Sequence, residues 1–455
     1  MRSADVEESP SSQSRGHPER QRGIFCTAIR AEDAIGSARK IPRLRLGMTP
    51  PRRIVTVLLL AGCASSATTT SLTPAPIRFA PTDTVAVDTV APGIVHYRVR
   101  RPTGPFLVQI VTVPVDSRYE FIAARAKDSL RGRETVRSMV QRRIAKGERI
   151  PVALNADFFD LRGQTGINEN NQVIDGLVWK GNPVTDSPFD TFRNSHIQFA
   201  VNANGKPLID RFTYAGTLEG SCGKFVLDGV NSLPRVSNAL ILFTNAYGGS
   251  ARRDSIHAPR ELAVRTSSAA GPGIGAIDIT PNGSISDGTG TVIAGATAVL
   301  AAYGSTNARL DSVARCSGGV RVNHAFTPNR GRLTMTAGGW PRVVQDGRNI
   351  GGIADSLEGT FPRFSAQRHP RSAIGFSRDS ATVFIVAVDG RQESADGMSL
   401  TELGDFLLSI GVYQGMNFDG GGSTALVING KLANKPSDQA GERAVGNAIL
   451  VRARR

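Results

Sequence analysis

Asn417-Phe418-Asp419-Gly420-Gly421-Gly422-Ser423-Thr424 sets three consecutive glycines between two apolar segments. Glycine loses more backbone freedom on folding than any other residue. A run of three therefore suits a chain that turns through conformations closed to other residues, or that lets a ligand approach bare backbone. A carboxylate at the mouth of such a turn is an active-site candidate; a tight turn kept for geometry alone is the plainer reading. Working outward, Tyr413 to Phe418 reads as a strand ending at Asp419. Before it, Ser399-Leu400-Thr401-Glu402 has the form of a capping box. Leu400, Leu403, Leu407 and Ile410 mark the buried face of the helix it opens, and Gly411 closes it. Further back, Arg371 to Ser377 and Ala381 to Val388 read as two strands joined by Arg378-Asp379-Ser380. Pairing Ser377 with Ala381 sets Arg371 opposite Ala387 and beside Asp389.

This strand–helix–strand order implies two parallel strands joined by a crossover. Both then end on one edge of the sheet, where open sheets place ligands. Asp389 and Asp419 occupy those two ends. Neighbouring strands would set them roughly 5 Å apart, and one intervening strand roughly 10 Å. The 455 residues include 49 Gly and 25 Pro and are 6% aromatic, which suits many short strands and turns better than a helical bundle. The expected class is α+β: a mixed β-sheet core with helices packed on it and a strand-rich middle region over 165–350.

Upstream, His96 to Val99, Phe106 to Val111 and Tyr119 to Ala123 read as strands, and Glu134 to Lys146 as a helix with Val136, Met139, Val140 and Ile144 on one face. Ile150 to Leu154 is a short apolar strand running into Asn155-Ala156-Asp157-Phe158-Phe159-Asp160. Polar groups at the tip of a buried strand, followed by two aromatics, suggest a pocket wall. Leu240 to Thr244 and Val292 to Ala294 read as strands of the middle region, and Ser267 to Gly275 as a loop.

The N-terminus points to an envelope address. Met48-Thr49-Pro50-Pro51-Arg52-Arg53 is a basic segment, Ile54 to Ala61 a short apolar one, and Leu60-Ala61-Gly62-Cys63 has the form of a lipobox. Residues 1–47 then read as an upstream extension, 48–62 as a lipoprotein signal peptide, and Cys63 as the lipidated residue. A Ser/Thr/Pro-rich tether over 63–90 and a single domain over 91–455 follow. The expected location is the bacterial cell envelope, lipid-anchored at the outer membrane and facing the periplasm or cell surface. Of the four cysteines, Cys222 and Cys316 remain for a disulfide in an oxidising compartment. The net charge of +15 is spread without aromatic interleaving, which argues against nucleic acid as a partner.

Seven spaced segments occur in order: Asn155-Ala156-Asp157-Phe158-Phe159, Arg371 to Gly375, Val388-Asp389-Gly390-Arg391, Gly397 to Leu403, Asn417 to Thr424, Asn434-Lys435-Pro436-Ser437-Asp438, and Glu442 to Ala448. Together they resemble the phosphodiester glycosidase family over roughly residues 90–455. Asn155-Ala156-Asp157 departs from it, since the family often has glycines there. The resemblance implies hydrolysis of the glycosidic C1–O bond of a sugar-1-phosphodiester, GlcNAc-1-phosphodiester-like, in envelope or extracellular glycans. A carboxylate stabilises the oxocarbenium-like state of such a cleavage, and a phosphate leaving group calls for cations. Asp419 is the expected leading carboxylate, with Asp389 or Glu393 as its partner. Arg371 and Arg391 are expected to hold phosphate, and the N–H groups of Gly420, Gly421 and Gly422 to form an anion nest. Asn155, Asp157, Asn417, Ser423, Asn434, Arg443 and Asn447 would line the site. No cofactor is required by this chemistry, although clustered Asp and Asn oxygens could hold Ca²⁺. The competing class is a lipoprotein that binds envelope glycan or a partner protein without turnover; a hydrolase of ordinary glycosides differs only in substrate.

Overall fold

Every residue of the strand Thr382–Val388 is buried, which a strand achieves only when both faces of its sheet are covered. In the computed structural model, which describes residues 77–454 apart from 186, 188, 234–237, 249–258, 268–272 and 289, that cover comes from a sheet on one side and a helix on the other. Thr382–Val388 lies inside an eight-stranded sheet ordered Thr84–Ala91, Ile94–Arg101, Phe106–Pro114, Thr382–Val388, Arg371–Phe376, Gln414–Asn417, Arg342–Gln345, Arg348–Asn349. All neighbours in it are antiparallel. Its inner face, through Ile374, Ile385, Ala387 and Met416, packs against Phe121, Ala123, Leu154, Ile449 and Val451. Those belong to an antiparallel five-stranded sheet ordered Lys431–Leu432, Leu426–Ile428, Arg149–Asn155, Asn447–Ala453, Tyr119–Arg125.

A helix closes each outer face. Leu400–Ser409 buries Leu400, Leu403, Phe406 and Leu407 against Ala373, Val386 and Val388. Val136–Ala145 buries Val136, Met139 and Val140 against Ala153 and Leu450. The core is thus layered helix, sheet, sheet, helix. The middle region builds a separate nine-stranded sheet, mostly antiparallel but with Gly229–Val230 and Ala239–Phe243 parallel. Helix Asn307–Ala314 packs on it through Leu310 and Val313. The disulfide joins Cys222 to Cys316 with 5.0 Å between Cα atoms. The described residues fall in one compact unit of α+β class.

The capping box is present: Ser399 Oγ accepts from the Glu402 N–H, and Glu402 accepts from the Ser399 N–H. Other expectations shift. Sheet structure begins at Thr84, inside the stretch expected as tether. Ile144 is 45% exposed because the helix buries only a narrow stripe. Val292 is exposed and Val292-Ile293-Ala294 pairs with no strand. The hairpin is one residue wider than expected, so Arg371 pairs with Val388. The strands ending near Asp389 and Asp419 do run parallel, but Arg371–Phe376 lies between them, the wider of the two spacings. The upstream extension, the signal peptide, Cys63 and half of the expected tether lie outside the described residues, as does most of Ser267 to Gly275.

Candidate active site

The glycine turn is pinned between the two sheets of the core. The Phe418 N–H donates to the Ser372 carbonyl at 2.7 Å, the Asp419 N–H to Ala156 at 2.9 Å and the Gly421 N–H to Pro370 at 2.9 Å. Asn155, at the tip of its strand, donates to the Asp419 carbonyl at 2.7 Å and accepts from the Ser372 hydroxyl and the Ala425 N–H. Gly421 sits at φ +59°, and a Cβ on Gly422 would collide with the Arg443 guanidinium and the Asp438 carboxylate. The glycines therefore admit an arginine pressed against bare backbone.

Burial pushes the Asp419 carboxyl up to about 6, against the Ser423 hydroxyl, the Arg443 charge and the Gly420 N–H, which hold it down; the neighbouring Asp157 charge adds to the rise. Arg443 is oriented by two hydrogen bonds to Asp438, at 2.7 and 3.0 Å, and donates to Ser423 Oγ at 3.4 Å. Asp438, Arg443, Ser423 and Asp419 thus form one connected chain.

Asp419 and Arg443 line a cavity of about 580 Å³. The segment that follows strand Arg149–Asn155 contributes Phe158, Asp160, Arg162, Asn168 and Glu169 to its wall; the loops of the nine-stranded sheet contribute Asn231, Ser232, Leu233 and Tyr247. Three guanidiniums reach it. Besides Arg443, Arg131 donates to the Tyr247 carbonyl at 2.7 Å with its charge 4.9 Å above the Tyr247 ring, and Arg162 lies 5.1 Å over Phe189. Phe158 meets Trp340 edge-on at 6.1 Å, anchoring that wall in an aromatic cluster with Phe361 and Phe364. Glu169 is 8% exposed, and burial together with Asp157 pushes its carboxyl up to about 8. Lys180, also lining the cavity, donates to the carbonyls of Asn168 and Glu169 at 2.8 and 2.9 Å.

Several expected site residues serve as the frame instead. Asp157 is buried with both oxygens engaged by Asn168 and Asn170, at 2.7 to 3.0 Å, and its N–H donates to Asn447 Oδ1. Asn447 in turn donates to Gln172. Asn417 donates to the Trp340 and Phe418 carbonyls, and Asn434 bridges the Leu426 N–H and the Thr424 carbonyl. Arg371, expected to hold phosphate, points to the helix side of its sheet and donates to the carbonyls of Met398, Phe364 and Gln367. Burial there draws its guanidinium down to about 9.

Asp389 is outside the cavity lining. It accepts from the Lys435 N–H at 3.0 Å, and burial pushes its carboxyl up to about 6. The intervening strand separates it from Asp419. Glu393 is exposed on the turn between Gln392 and Ala395 and is not part of the cavity. Arg391 donates to His369 and lies against Gly421, also outside the lining. The anion nest is diminished, since the Gly421 N–H is engaged by Pro370.

Glu169, Arg131, Arg162 and Lys180 were not expected from sequence. The run Asn168-Glu169-Asn170-Asn171-Gln172, five polar residues at the entry of a buried strand, was the available signal. Among the described residues, no group of three or more His, Cys, Asp or Glu side chains is placed to hold a metal ion.

Residues 273–452 match the phosphodiester glycosidase family model. That match takes in the glycine turn and Arg443 and covers somewhat under half of the chain. Over 80 residues the chain is 42% identical to N-acetylglucosamine-1-phosphodiester alpha-N-acetylglucosaminidase of Bos taurus, a stretch amounting to 18% of this chain and 15% of that protein. The chain therefore spans only a small part of the curated relatives it matches. A hypothetical protein from Synechocystis has the same fold at TM-score 0.62 and 22% identity, over 82% of this chain and 64% of that one. A protein of Burkholderia pseudomallei described as exported aligns at TM-score 0.56 and 19% identity, over 77% and 74% of the two chains. At these identities the two solved structures speak for the fold.

Proposed function

We propose that this protein hydrolyses the glycosidic C1–O bond of a sugar-1-phosphodiester, with Asp419 facing C1 and Arg443, Arg131 and Arg162 receiving the phosphate. The observation that carries this reading is the meeting of the half-buried Asp419 carboxylate and three guanidiniums in a single cavity of about 580 Å³. A positively charged C1 needs a carboxylate beside it, while an anionic leaving group needs cations more than it needs a strong acid. Water supplies the oxygen added to C1, and the bonding pair of the broken C1–O bond departs with the phosphate. The products are a free sugar and a phosphomonoester. The family match supports the reaction class, and the bovine relative supports an N-acetylglucosamine-like sugar as the first substrate to try. The lipobox at Leu60 to Cys63 supports an envelope-anchored enzyme acting on glycans outside the cytoplasm.

The test is release of reducing sugar from a GlcNAc-1-phosphodiester. Asp419→Asn is expected to lower kcat/KM by ~10³-fold, in the range lost when a catalytic group is removed, while circular dichroism stays that of the wild type. Tight binding without sugar release, or a variant as active as the wild type, overturns the assignment.

A further inference from the structure

Asp419 accounts for one carboxyl of the cavity and leaves Glu169 without a task. Its main chain is fixed: the N–H donates to the Phe158 carbonyl at 2.9 Å, and its carbonyl accepts from Lys180 Nζ at 2.9 Å. Its side chain is almost wholly enclosed yet borders the cavity. Such a placement is costly for a purely structural acid, because a buried carboxylate needs a cation or several donors. The Ser187 hydroxyl donates one hydrogen bond to the Glu169 carboxyl, and among the described residues no guanidinium of the cavity pairs with it: Arg443 is engaged with Asp438 and Arg131 with the Tyr247 carbonyl.

We propose that Glu169 stays protonated through turnover and donates a hydrogen bond from its neutral carboxyl to the departing phosphate. This rests on the reaction assigned above and adds a named donor to it. A neutral carboxyl is a donor, whereas a carboxylate only accepts. An ionised Glu169 would repel both the phosphate and Asp419 across a poorly screened space. Proton transfer is not required, since the second ionisation of a phosphomonoester lies at about 6 and the group leaves as a stable anion. The proton therefore remains on Glu169, and the atoms balance as in the uncatalysed hydrolysis.

The charged surroundings agree. Asp157 and Asp190 face Glu169 as like charges, and Lys180 opposes them only in part. Asp190 is itself paired with His196 at 2.8 Å. Asp160, Arg131, Arg162, Asp419 and Arg443 complete the charged lining of the cavity. Burial comes first among the causes that hold the carboxyl up to about 8.

The experiment is a kcat/KM profile from pH 5 to pH 9.5 on a GlcNAc-1-phosphodiester, with the full chain, for wild type, Glu169→Gln and Glu169→Ala. Thermal melting at each pH accompanies it. Wild type is expected to lose activity above about pH 8, where the donor ionises. Glu169→Gln keeps a donor that cannot ionise: it falls less than tenfold at pH 7 and its activity runs flat to pH 9. Glu169→Ala falls by ~10²-fold, in the range of one lost transition-state donor. If Glu169→Gln is folded and keeps the wild-type decline near pH 8, or if Glu169→Ala matches the wild type at pH 7, the inference is wrong while the reaction assignment stands. Sugar release that is absent in the wild type overturns both.

Discussion

Asp419 works against the stability of the protein that carries it. Its folded-state pKa, about 6, lies above that of an exposed carboxyl, so the native chain holds this proton more tightly than the unfolded chain does. Stability from this group is full below about pH 4 and drains away as pH rises toward about 6. Asp419→Asn removes the ionisation. The variant is expected to melt above wild type at pH 7, with the gap closing by pH 4.5, although it has lost turnover. In wild type the same ionisation sets the acid side of kcat/KM near pH 6. A variant that melts below wild type at pH 7 by as much as at pH 4.5 would show that Asp419 is held by its partners rather than strained by burial. Arg371 makes the opposite case. Its guanidinium reaches three main-chain carbonyls from a fully buried position and touches nothing in the cavity. Arg371→Leu strands those acceptors and is expected to cost ~3–5 kcal/mol in chemical denaturation, with KM unchanged for the fraction that folds. Asp419 and Arg443 could be found from sequence because each sits in a motif whose glycines and polar neighbours are local. Arg371 carried an equally conspicuous motif, but the face its side chain takes depends on strand pairing that the motif does not contain.

At the scale of elements, the segment from Arg371 to Asp419 was readable wherever the signal was periodic or short-ranged. The capping box at Ser399 and the stripe Leu400, Leu403, Leu407 depend on residues within one or two turns of each other, and both are present. The order of strands was not readable in the same way. A parallel pair can be neighbours or can flank a third strand, and the hairpin partner Arg371–Phe376 occupies the middle place. That choice moved Asp389 away from Asp419 and removed it from the cavity. The helix offers a check on how its stability is divided. Ser399→Ala is expected to cost ~1 kcal/mol, the usual loss of an N-cap. Phe406→Ala, which empties a ring buried beneath the Arg101 guanidinium, is expected to cost ~3–5 kcal/mol. Urea midpoints of the two variants measure the ratio, and equal losses would mean that the cap, not the buried face, holds the helix to its sheet.

For the molecule as a whole, the cavity depends on two structures that fold around different cores. The layered core supplies Asp419 and Arg443, the segment that follows its strand Arg149–Asn155 supplies Glu169, and the loops of the nine-stranded sheet supply Asn231, Ser232, Leu233 and Tyr247 as a further wall. Nothing local in the sequence marks that wall, since these residues reach the site only through the register of the nine-stranded sheet. The middle region is itself cross-linked by Cys222–Cys316, which span 94 residues. Closing a loop of that length removes entropy from the unfolded chain equivalent to ~2–4 kcal/mol in typical cases. Cys222→Ser with Cys316→Ser is therefore expected to lower unfolding stability by about that amount. Cys316 belongs to the middle region's own hydrophobic core, together with Leu218 and Val320, and neither cysteine lines the cavity. The double variant should accordingly raise KM for the phosphodiester as that further wall loosens, while the limbs of the pH profile stay where Asp419 and Glu169 put them. Were those limbs to move with the disulfide, the acids would be tuned from the middle region, and their pKa values would belong to that wall instead of to their own burial.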